Sequence, residues 1–316
     1  MKERTWSARP DLRALLCTEI AAVLGAAISA AAAGPLWIGA AGGAVVGLLL
    51  FVVRISRLTP WQWVRRAIGR LRHKVHHLDA GEFVDVDSDG QPLGVCVDGH
   101  TLVTMVNVWG RPHIPTLLRP QGAETPNTLP VSTIAEQMQR FGLGVDIDVI
   151  TQGRRTASDT YGQFYATLLA DRPAAGQRTT VLLIRMDTRS PDTTAGLMWR
   201  TDAAAAAAAV TRRITRALRQ HGCRAEPLTA ADMRQAVLDM HGGSKEGVES
   251  AYREGWKDLT HRRAHLTSYY LSAQDLTAER LDDMWAIASD HTLLALHLRR
   301  TSDGVAVSAT VRFTTA

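Results

Sequence analysis

The chain has 316 residues and a formal net charge of +5, and the charge is distributed unevenly. Residues 1–74 carry eleven Lys/Arg against three Asp/Glu, a net of +8, whereas the remaining residues carry 25 against 28, a net of −3. This asymmetry indicates a membrane or another polyanion at one end. The three cysteines, Cys17, Cys96 and Cys223, lie far apart and form no C-x-x-C, which excludes a disulfide framework or zinc scaffold and fits a reducing compartment.

Two apolar segments follow each other near the N-terminus. As helices, Leu12 to Gly34 and Pro35 to Val53 are each long enough to cross a bilayer core of roughly 30 Å. No charged residue lies between Ile20 and Val53, and Gly34-Pro35 breaks the helix. We predict a transmembrane helical hairpin. The alternative for the first segment is a cleavable signal peptide, which would leave the second segment as the anchor.

The flanking charges predict the orientation of the hairpin. Lys2, Arg4, Arg9 and Arg13 precede it, seven cations within residues 54–74 follow it, and the connection between its helices has none. The positive-inside rule then places both flanks in the cytoplasm. We expect a two-pass inner-membrane protein with both termini and the large acidic part in the cytoplasm.

Small residues recur every four positions in both apolar segments. Such spacing lets membrane helices approach closely. The contact is either between the two helices of the hairpin or with another membrane helix. The residues predicted to pack are Gly39, Gly43 and Gly47 in the second segment and Gly25, Ser29 and Ala33 in the first.

Residues 58–78 predict an amphipathic basic helix on the membrane surface. Thr59 and Pro60 suit its first turn, and apolar residues then recur at steps of three and four. Tryptophan at the interface and arginine near phosphates are typical of a helix on anionic inner-leaflet lipids. The alternative polyanion is nucleic acid, but the folded part adds no basic patch, so we expect no nucleic-acid partner. The predicted interface residues are Trp61, Trp63, Arg65, Arg66, Arg70 and Arg72.

Residues 79–316 predict one cytoplasmic domain of α/β or α+β class. Apolar alternation or continuous apolar runs predict strands near 82–87, 93–97, 101–108, 144–150, 179–187, 265–271, 292–299 and 305–313. Helical periodicity predicts helices near 131–141, 158–170, 202–221, 229–240 and 275–287. The domain boundaries are therefore 1–57 for the flank and hairpin, 58–78 for the basic helix, and 79–316.

The chain shows no complete catalytic or metal-binding signature. Asp85, Asp87, Asp89 and Gly90 match the start of a calcium loop, but Cys96 stands where a glutamate is needed, so a hairpin turn is favoured. Asp146 and Asp148 lie in an alternating strand, where two polar residues on one face are ordinary. We expect no catalytic residue, no metal and no cofactor.

The stretch "TQGRRTASD" follows the predicted strand 144–150 and precedes a predicted helix that Ser158 could cap. Arg154 and Arg155 beside a helix N-terminus could hold a phosphate or an acidic side chain, which makes them a candidate partner contact. The alternative is an exposed, well-capped loop.

Three stretches together resemble the EccE family, one of the core membrane components of type VII (ESX) secretion systems of mycobacteria and their relatives. They are "PNTLPVSTIAEQMQRFGLGVDIDVITQGRRT", "RTDAAAAAAAVTRRITRALRQHGCRAEPLTAADM" and "HLTSYYLSAQDLTAERLDDMW". The resemblance runs from the two apolar segments to about Phe313, and family members have further sequence beyond the equivalent of Ala316.

The resemblance implies a non-enzymatic structural subunit of a multi-subunit inner-membrane complex with EccB, the EccC ATPase and EccD. It also implies a cytoplasmic domain of glycosyltransferase-type fold without an established activity. Two other hypotheses remain at this point. One is a membrane-tethered glycosyltransferase-like enzyme using Asp85 and Asp87 with a metal, and the other is a module that binds an acidic partner.

Overall fold

The computed structural model divides the chain into two compact units, Met1–His76 and His77–Ala316. The described residues are 6–8, 12–32, 34–55, 59–61, 64, 81–88, 90–111, 117–119, 122–124, 127–154, 164, 167, 176–200, 202–240, 252–254, 258–261, 264–287 and 289–315.

The first unit is a helical hairpin. Its elements are strand β1 (Trp6–Ala8), helix α1 (Leu12–Ala31), helix α2 (Leu36–Gly47), a π-helical turn (Leu48–Val52) that continues α2, and strand β2 (Val53–Ile55). Strands β1 and β2 pair antiparallel, so the chain enters and leaves the hairpin at the same end. Within the described residues, the length and apolarity of the helices do not reach what a membrane crossing needs. The two predicted spans therefore stay a prediction.

The second unit is built on a large sheet. Its strands are β3 (Glu82–Ser88), β4 (Gln91–Asp98), β5 (Thr101–Trp109), β6 (Leu117–Arg119), β7 (Gly122–Glu124), β8 (Gln139–Arg140), β9 (Leu143–Gly144), β10 (Asp146–Arg154), β11 (Gly176–Asp187), β12 (Arg224–Pro227), β13 (Tyr252–Glu254), β14 (Leu259–His261), β15 (Ala264–Leu271), β16 (His291–Thr301) and β17 (Gly304–Thr315). Its helices are α3 (Val131–Gln137), α4 (Pro191–Leu197), α5 (Ala203–Gln220), α6 (Ala230–Met240) and α7 (Ala278–Asp283), with 3₁₀ turns at Ala273–Asp275 and Met284–Ala286.

The main sheet has eleven strands. Ten follow the order β13-β14-β15-β17-β16-β10-β11-β5-β4-β3, and β12 also pairs with β5. Every pairing among the described strands is antiparallel, which makes the unit α+β. Nucleotide-binding α/β folds rest on parallel strands, so the described strands lend no support to a glycosyltransferase-type fold.

Helices cover the two faces of the sheet unequally. Neighbouring residues of a strand point to opposite faces. The consecutive residues Leu182 and Leu183 of β11 accordingly belong to two different apolar clusters, one on each face. The cluster of Leu182 includes buried residues of α3 and α5. The cluster of Leu183 includes Met233 and Val237 of the shorter α6. We call these the α5 face and the α6 face.

The strongest sequence signals are confirmed in the second unit. The eight predicted strands correspond to β3, β4, β5, β10, β11, β15, β16 and β17. The long helix is α5, whose N-cap Asp202 accepts a hydrogen bond from the amide of Ala204 at 2.8 Å. Gly222 follows its end with φ +80°, a left-handed conformation that favours glycine.

Two predicted helices differ in their bounds from the structure, and a third lies almost wholly outside the described residues. Helix α3 ends at Gln137, before the predicted 141, because residues 139–144 form the β8–β9 hairpin. The helix predicted over 275–287 is reduced to α7 between two 3₁₀ turns. The helix predicted over 158–170 lies outside the described residues except for positions 164 and 167, which are helical.

Candidate functional site

The glycines of the hairpin lie where α1 and α2 touch. A Cβ on Gly39 would overlap the backbone of Gly25, and a Cβ on Gly25 would overlap that of Gly39. A Cβ on Gly43 would overlap the carbonyl of Ala21, and one on Gly47 would lie 2.9 Å from Cα of Thr18. The described residues therefore place the small-residue face of α2 against α1 of the same chain, which is the intramolecular alternative. Ala33 lies outside the described residues.

Ser29 closes the end of the hairpin. Its hydroxyl donates a hydrogen bond to the carbonyl of Pro35 at 2.9 Å, and its own carbonyl accepts one from the amide of Gly34 at 2.8 Å. Its Cβ also lies against Gly39. These contacts fix the short connection between the helices without a charged residue.

The outer surface of the hairpin is largely apolar, although Glu19 of α1 is also exposed. Large apolar side chains around it are between 47% and 73% exposed, the extremes being Leu15 and Trp37. Soluble proteins seldom expose a contiguous apolar surface of this extent. The others are Leu16, Ile20, Val23, Leu24, Ile28, Leu36, Ile38, Val45, Val46, Leu48 and Leu49.

The basic segment after the hairpin is described at few positions. Pro60, Trp61 and Val64 are helical, and Trp61 is exposed with its ring 5.8 Å from that of Phe51. An exposed tryptophan beside the end of an apolar helix suits the membrane interface. Trp63, Arg65, Arg66, Arg70 and Arg72 lie outside the described residues.

From the sequence we predict that Arg154 lies in the loop after the strand 144–150. In the structure Arg154 is part of the strand. It is the last residue of β10, opposite His291 of β16 and Gly176 of β11, because the strand continues four residues beyond Ile150. Its side chain is exposed at the edge of the described region. Arg155 lies outside the described residues, so the pair stays a proposed partner contact.

His291 is held neutral by its surroundings. Burial, together with the charges of Arg312 and Arg154, lowers the pKa of its imidazole from 6.5 to about 4. The unfolded chain therefore takes up a proton between pH 6.5 and 4 that the folded chain does not. Stability is complete above pH 6.5 and decreases as the pH falls through this window.

We expect His291→Gln to remove the loss of stability that this imidazole causes at low pH, which is on the order of 2 kcal/mol. This free energy is discounted because the ring is partly exposed. The measurement is the melting temperature of the full chain in mild detergent at pH 7.5 and pH 4.5. His265→Gln makes the same substitution at a side chain that is 55% exposed, and it is the control for the exchange of histidine by glutamine. An unchanged pH dependence of His291→Gln would contradict the assignment.

The densest polar cluster of the described residues surrounds Asp148 on the α6 face. Asp148 is 2% exposed and lies in the middle of β10. Its carboxylate is 2.6 Å from Nη2 of Arg299, 2.9 Å from Nη2 of Arg185 and 2.8 Å from Nδ1 of His297. Nε2 of His297 lies 3.2 Å from the hydroxyl of Thr310. Four strands, β11, β10, β16 and β17, thus contribute to one network.

The charge state of Asp148 follows from these partners. Burial alone would raise the pKa of its carboxyl, but the hydrogen bond from His297 and the charges of Arg185 and Arg299 outweigh it and bring the pKa below 3.8. The ionised carboxylate only accepts hydrogen bonds, so Nδ1 of His297 carries a hydrogen, and in the neutral ring Nε2 accepts from Thr310. The assignment of this tautomer rests on the hydrogen-bond network.

The side chains of Asp148, His297 and Thr310 are hydrogen-bonded in the order carboxylate, imidazole, hydroxyl, as in a hydrolase triad. Their surroundings nevertheless favour a structural role. In a triad the carboxylate orients the histidine and stabilises the imidazolium. Here two guanidinium groups already balance the carboxylate. Thr310 also lies within β17, between Tyr270 of β15 and Ala295 of β16, where the sheet uses the backbone amides that an oxyanion hole would need.

Sequence reasoning missed this network. The alternation of the strand makes Asp148 an ordinary polar residue, and its histidine partner is 149 residues further along the chain. A usable signal was present, because Arg185 interrupts the apolar run VLLIRMD and Arg299 follows LLALHL. Charged residues at strand positions between apolar ones seldom stay buried unless they are paired.

The acidic turn has a structural partner that the sequence did not reveal. Gly90 has φ +73° between β3 and β4, as a hairpin turn requires. Asp85 reaches across and accepts a hydrogen bond from the amide of Ala230 at 2.7 Å, which satisfies the first amide of α6. Asp89 lies outside the described residues. Within those residues, no group of three His, Cys, Asp or Glu is arranged to hold a metal ion.

The comparisons with known proteins agree on one family. The family model described as type VII ESX secretion system translocon, EccE, matches residues 174–271. The chain is 30% identical over 261 residues to the ESX-2 secretion system protein EccE2 of Mycobacterium tuberculosis, covering 81% of this chain and 47% of the relative. The chain belongs to the EccE family.

Two further relatives extend this EccE similarity. The ESX-5 secretion system protein EccE5 of Mycobacterium marinum is 29% identical over 58% of this chain and 48% of the relative. The ESX-1 secretion system protein EccE1 of Mycobacterium tuberculosis is 25% identical over 87% of this chain and 56% of the relative. This EccE-family chain thus spans about half the length of the curated relatives it matches.

Proposed function

We propose that the chain is a structural subunit of a type VII secretion complex, held in the inner membrane by its N-terminal hairpin. The family supports the complex, and the apolar outer surface of α1 and α2 supports the anchor. That surface is unfavourable in water and favourable in lipid, at roughly 25 cal/mol per Å² of apolar area. The small-residue contact between the helices supplies the close packing that drives association in lipid.

The topology follows from the ends of the hairpin. Strands β1 and β2 bring the two flanks together, and the cations of residues 2–13 and 54–74 belong to these flanks. The connection at residues 32–35 has no charge. Both flanks and the α+β unit then lie in the cytoplasm, with only the connection outside. The basic residues 58–78 bind anionic lipids of the inner leaflet, assisted by Trp61.

The partners that we propose are EccB, the EccC ATPase and EccD. The paired charges around Asp148 and the antiparallel sheet fit a rigid scaffold, and the complex rather than this chain supplies the chemistry. The exposed Arg154 at the end of β10 supports a contact with an acidic group of a neighbouring subunit.

Cysteine labelling tests the topology. A cysteine at Gly34 should react with a membrane-impermeant maleimide in intact cells, whereas one at Ser190 should react only after the membrane is opened. The native cysteines are first replaced by serine. Reaction at Ser190 in intact cells would show the opposite orientation, and protection at both sites would show that the hairpin does not cross the membrane.

Purification tests the assignment to the complex. The full chain, extracted in mild detergent from its native membrane, should be recovered with an ATPase and other membrane subunits in fixed proportions. Recovery of the chain alone would contradict a structural role in the complex.

A further inference from the structure

An apolar and cationic surface on the second unit lies outside every site described above. Phe141, Met198 and Trp199 are 76%, 78% and 88% exposed, more than any other large apolar side chain of the described residues. Arg140, Arg200 and Arg213 surround them. We call these six residues the aromatic–arginine patch.

Backbone contacts hold the patch together. The turn of the β8–β9 hairpin packs on the end of α4 so closely that a Cβ on Gly142 would lie 3.3 Å from Cα of Gly196. Arg200 donates hydrogen bonds from its guanidinium to the carbonyls of Gly196 and Phe141. The hydroxyl of Thr193 donates to the carbonyl of Gly144 at 3.1 Å. The patch is therefore built on a fixed scaffold.

Phe141 occupies a backbone conformation that disfavours its side chain. Its φ is +56°, and it forms with Gly142, at φ +69°, the two-residue turn between β8 and β9. Asn, Asp and Gly are the residues that such a turn prefers. A bulky residue in the left-handed region is strained, and here the ring gains little burial in return. Strain kept at an exposed position indicates a role outside the fold.

The three arginines of the patch lack an acidic partner within the part of the chain that the structure describes. Among the residues that the structure describes, no carboxylate lies within ion-pair distance of Arg140, Arg200 or Arg213. Instead they donate to backbone carbonyls, as Arg213 does to Gln137 at 2.8 Å and Arg140 to Glu136 at 3.2 Å. Nε of Arg213 is buried and has no hydrogen-bond partner among the described residues. Burial and the charges of Arg140 and Arg200 lower the pKa of Arg213.

We propose that the aromatic–arginine patch is a docking surface for an acidic segment of another protein, with carboxylates on either side of a large apolar residue. Phe141, Met198 and Trp199 contact the apolar residue, and Arg140 and Arg200 bind the carboxylates. Trp, Phe, Met and Arg are the residues enriched at the centre of protein interfaces. The unopposed charge selects an acidic partner over a neutral one.

Crosslinking in the native membrane tests the proposal. The full chain carries the photo-crosslinker p-benzoylphenylalanine at Trp199, and the crosslinked peptide is identified by mass spectrometry. We expect a single acidic peptide from another protein. Arg140→Glu should lower the yield of this crosslink about ten-fold or more. Arg216→Glu, at an exposed arginine one turn beyond Arg213 in α5, should not. Changing the captured carboxylates to lysine should restore the yield in Arg140→Glu.

A second variant separates binding from folding. Phe141→Asn suits the left-handed turn, so the melting temperature should stay the same or rise while the crosslink is lost. A lower melting temperature with an intact crosslink would show that the ring serves the fold. Crosslinks to lipid, to this chain itself, to a peptide without acidic residues, or to nothing would each overturn the proposal. Recovery of the membrane complex in the same preparations tests the proposed function separately.

Discussion

Gly43→Leu is expected to separate the two helices of the hairpin. A Cβ at this position already overlaps the carbonyl of Ala21 and lies 3.0 Å from Cα of Ala22, both of them backbone atoms that cannot rotate away. The helices must move apart, and the close contacts of Gly25 with Gly39 are lost with them. Overpacking a tight contact typically costs 1–3 kcal/mol, and we expect at least about 3 kcal/mol here because backbone must shift.

The adjacent glycine provides the control. A Cβ on Gly42 meets nothing within 4 Å, so Gly42→Leu adds the same side chain to the same helix without a clash. The measurement is the amount of complex recovered with the full chain from its membrane. We expect less than a tenth of the wild-type yield for Gly43→Leu and a yield within two-fold for Gly42→Leu. Equal yields for the two variants would show that the packing of the hairpin does not matter for assembly.

The sequence predicted those parts of the fold that depend on local periodicity. Strands such as 101–108 and 179–187 alternate or are continuously apolar, and the alanine-rich helix presents one apolar face bounded by Asp202 and Gly222. Steric and hydrophobic preferences of neighbouring residues suffice for these elements. The order of strands in the sheet was not predicted, because it depends on contacts between distant segments.

The candidate sites differ in the same way: those formed within one segment are predictable from the sequence, and those formed between distant segments are not. Glycine spacing predicted which residues of the hairpin could pack, since the spacing is a property of one helix. The Asp148 network was not predictable in this way, because the register of β10 with β16 places His297 opposite Asp148. The aromatic–arginine patch depends on the positive φ of Phe141 and on the contact of Gly142 with Gly196, neither of which leaves a pattern in the sequence.

Asp148→Asn is expected to lower the stability of the second unit. The substitution keeps the shape but leaves Arg185 and Arg299 facing each other around a neutral amide. Removing one partner of a buried ion pair costs 3–5 kcal/mol. The two arginines are more than a third exposed, so we expect about 2–3 kcal/mol. For a unit of this size that corresponds to a decrease in melting temperature of roughly 4–12 °C.

The pH dependence identifies the charge as the cause. The pKa of Asp148 is lowered in the folded state, so its contribution is complete above the ordinary value of 3.8 and is lost as the pH falls below it. The melting temperatures of wild type and Asp148→Asn should therefore differ at pH 7 and converge as the pH falls below 3.8.

Asp146→Asn is the matched control, two residues away in the same strand. Its carboxylate is 38% exposed and 3.7 Å from the guanidinium of Arg300, and such exposed pairs contribute at most about 1 kcal/mol. If Asp148→Asn melts no lower than Asp146→Asn at pH 7, the network contributes little to the fold.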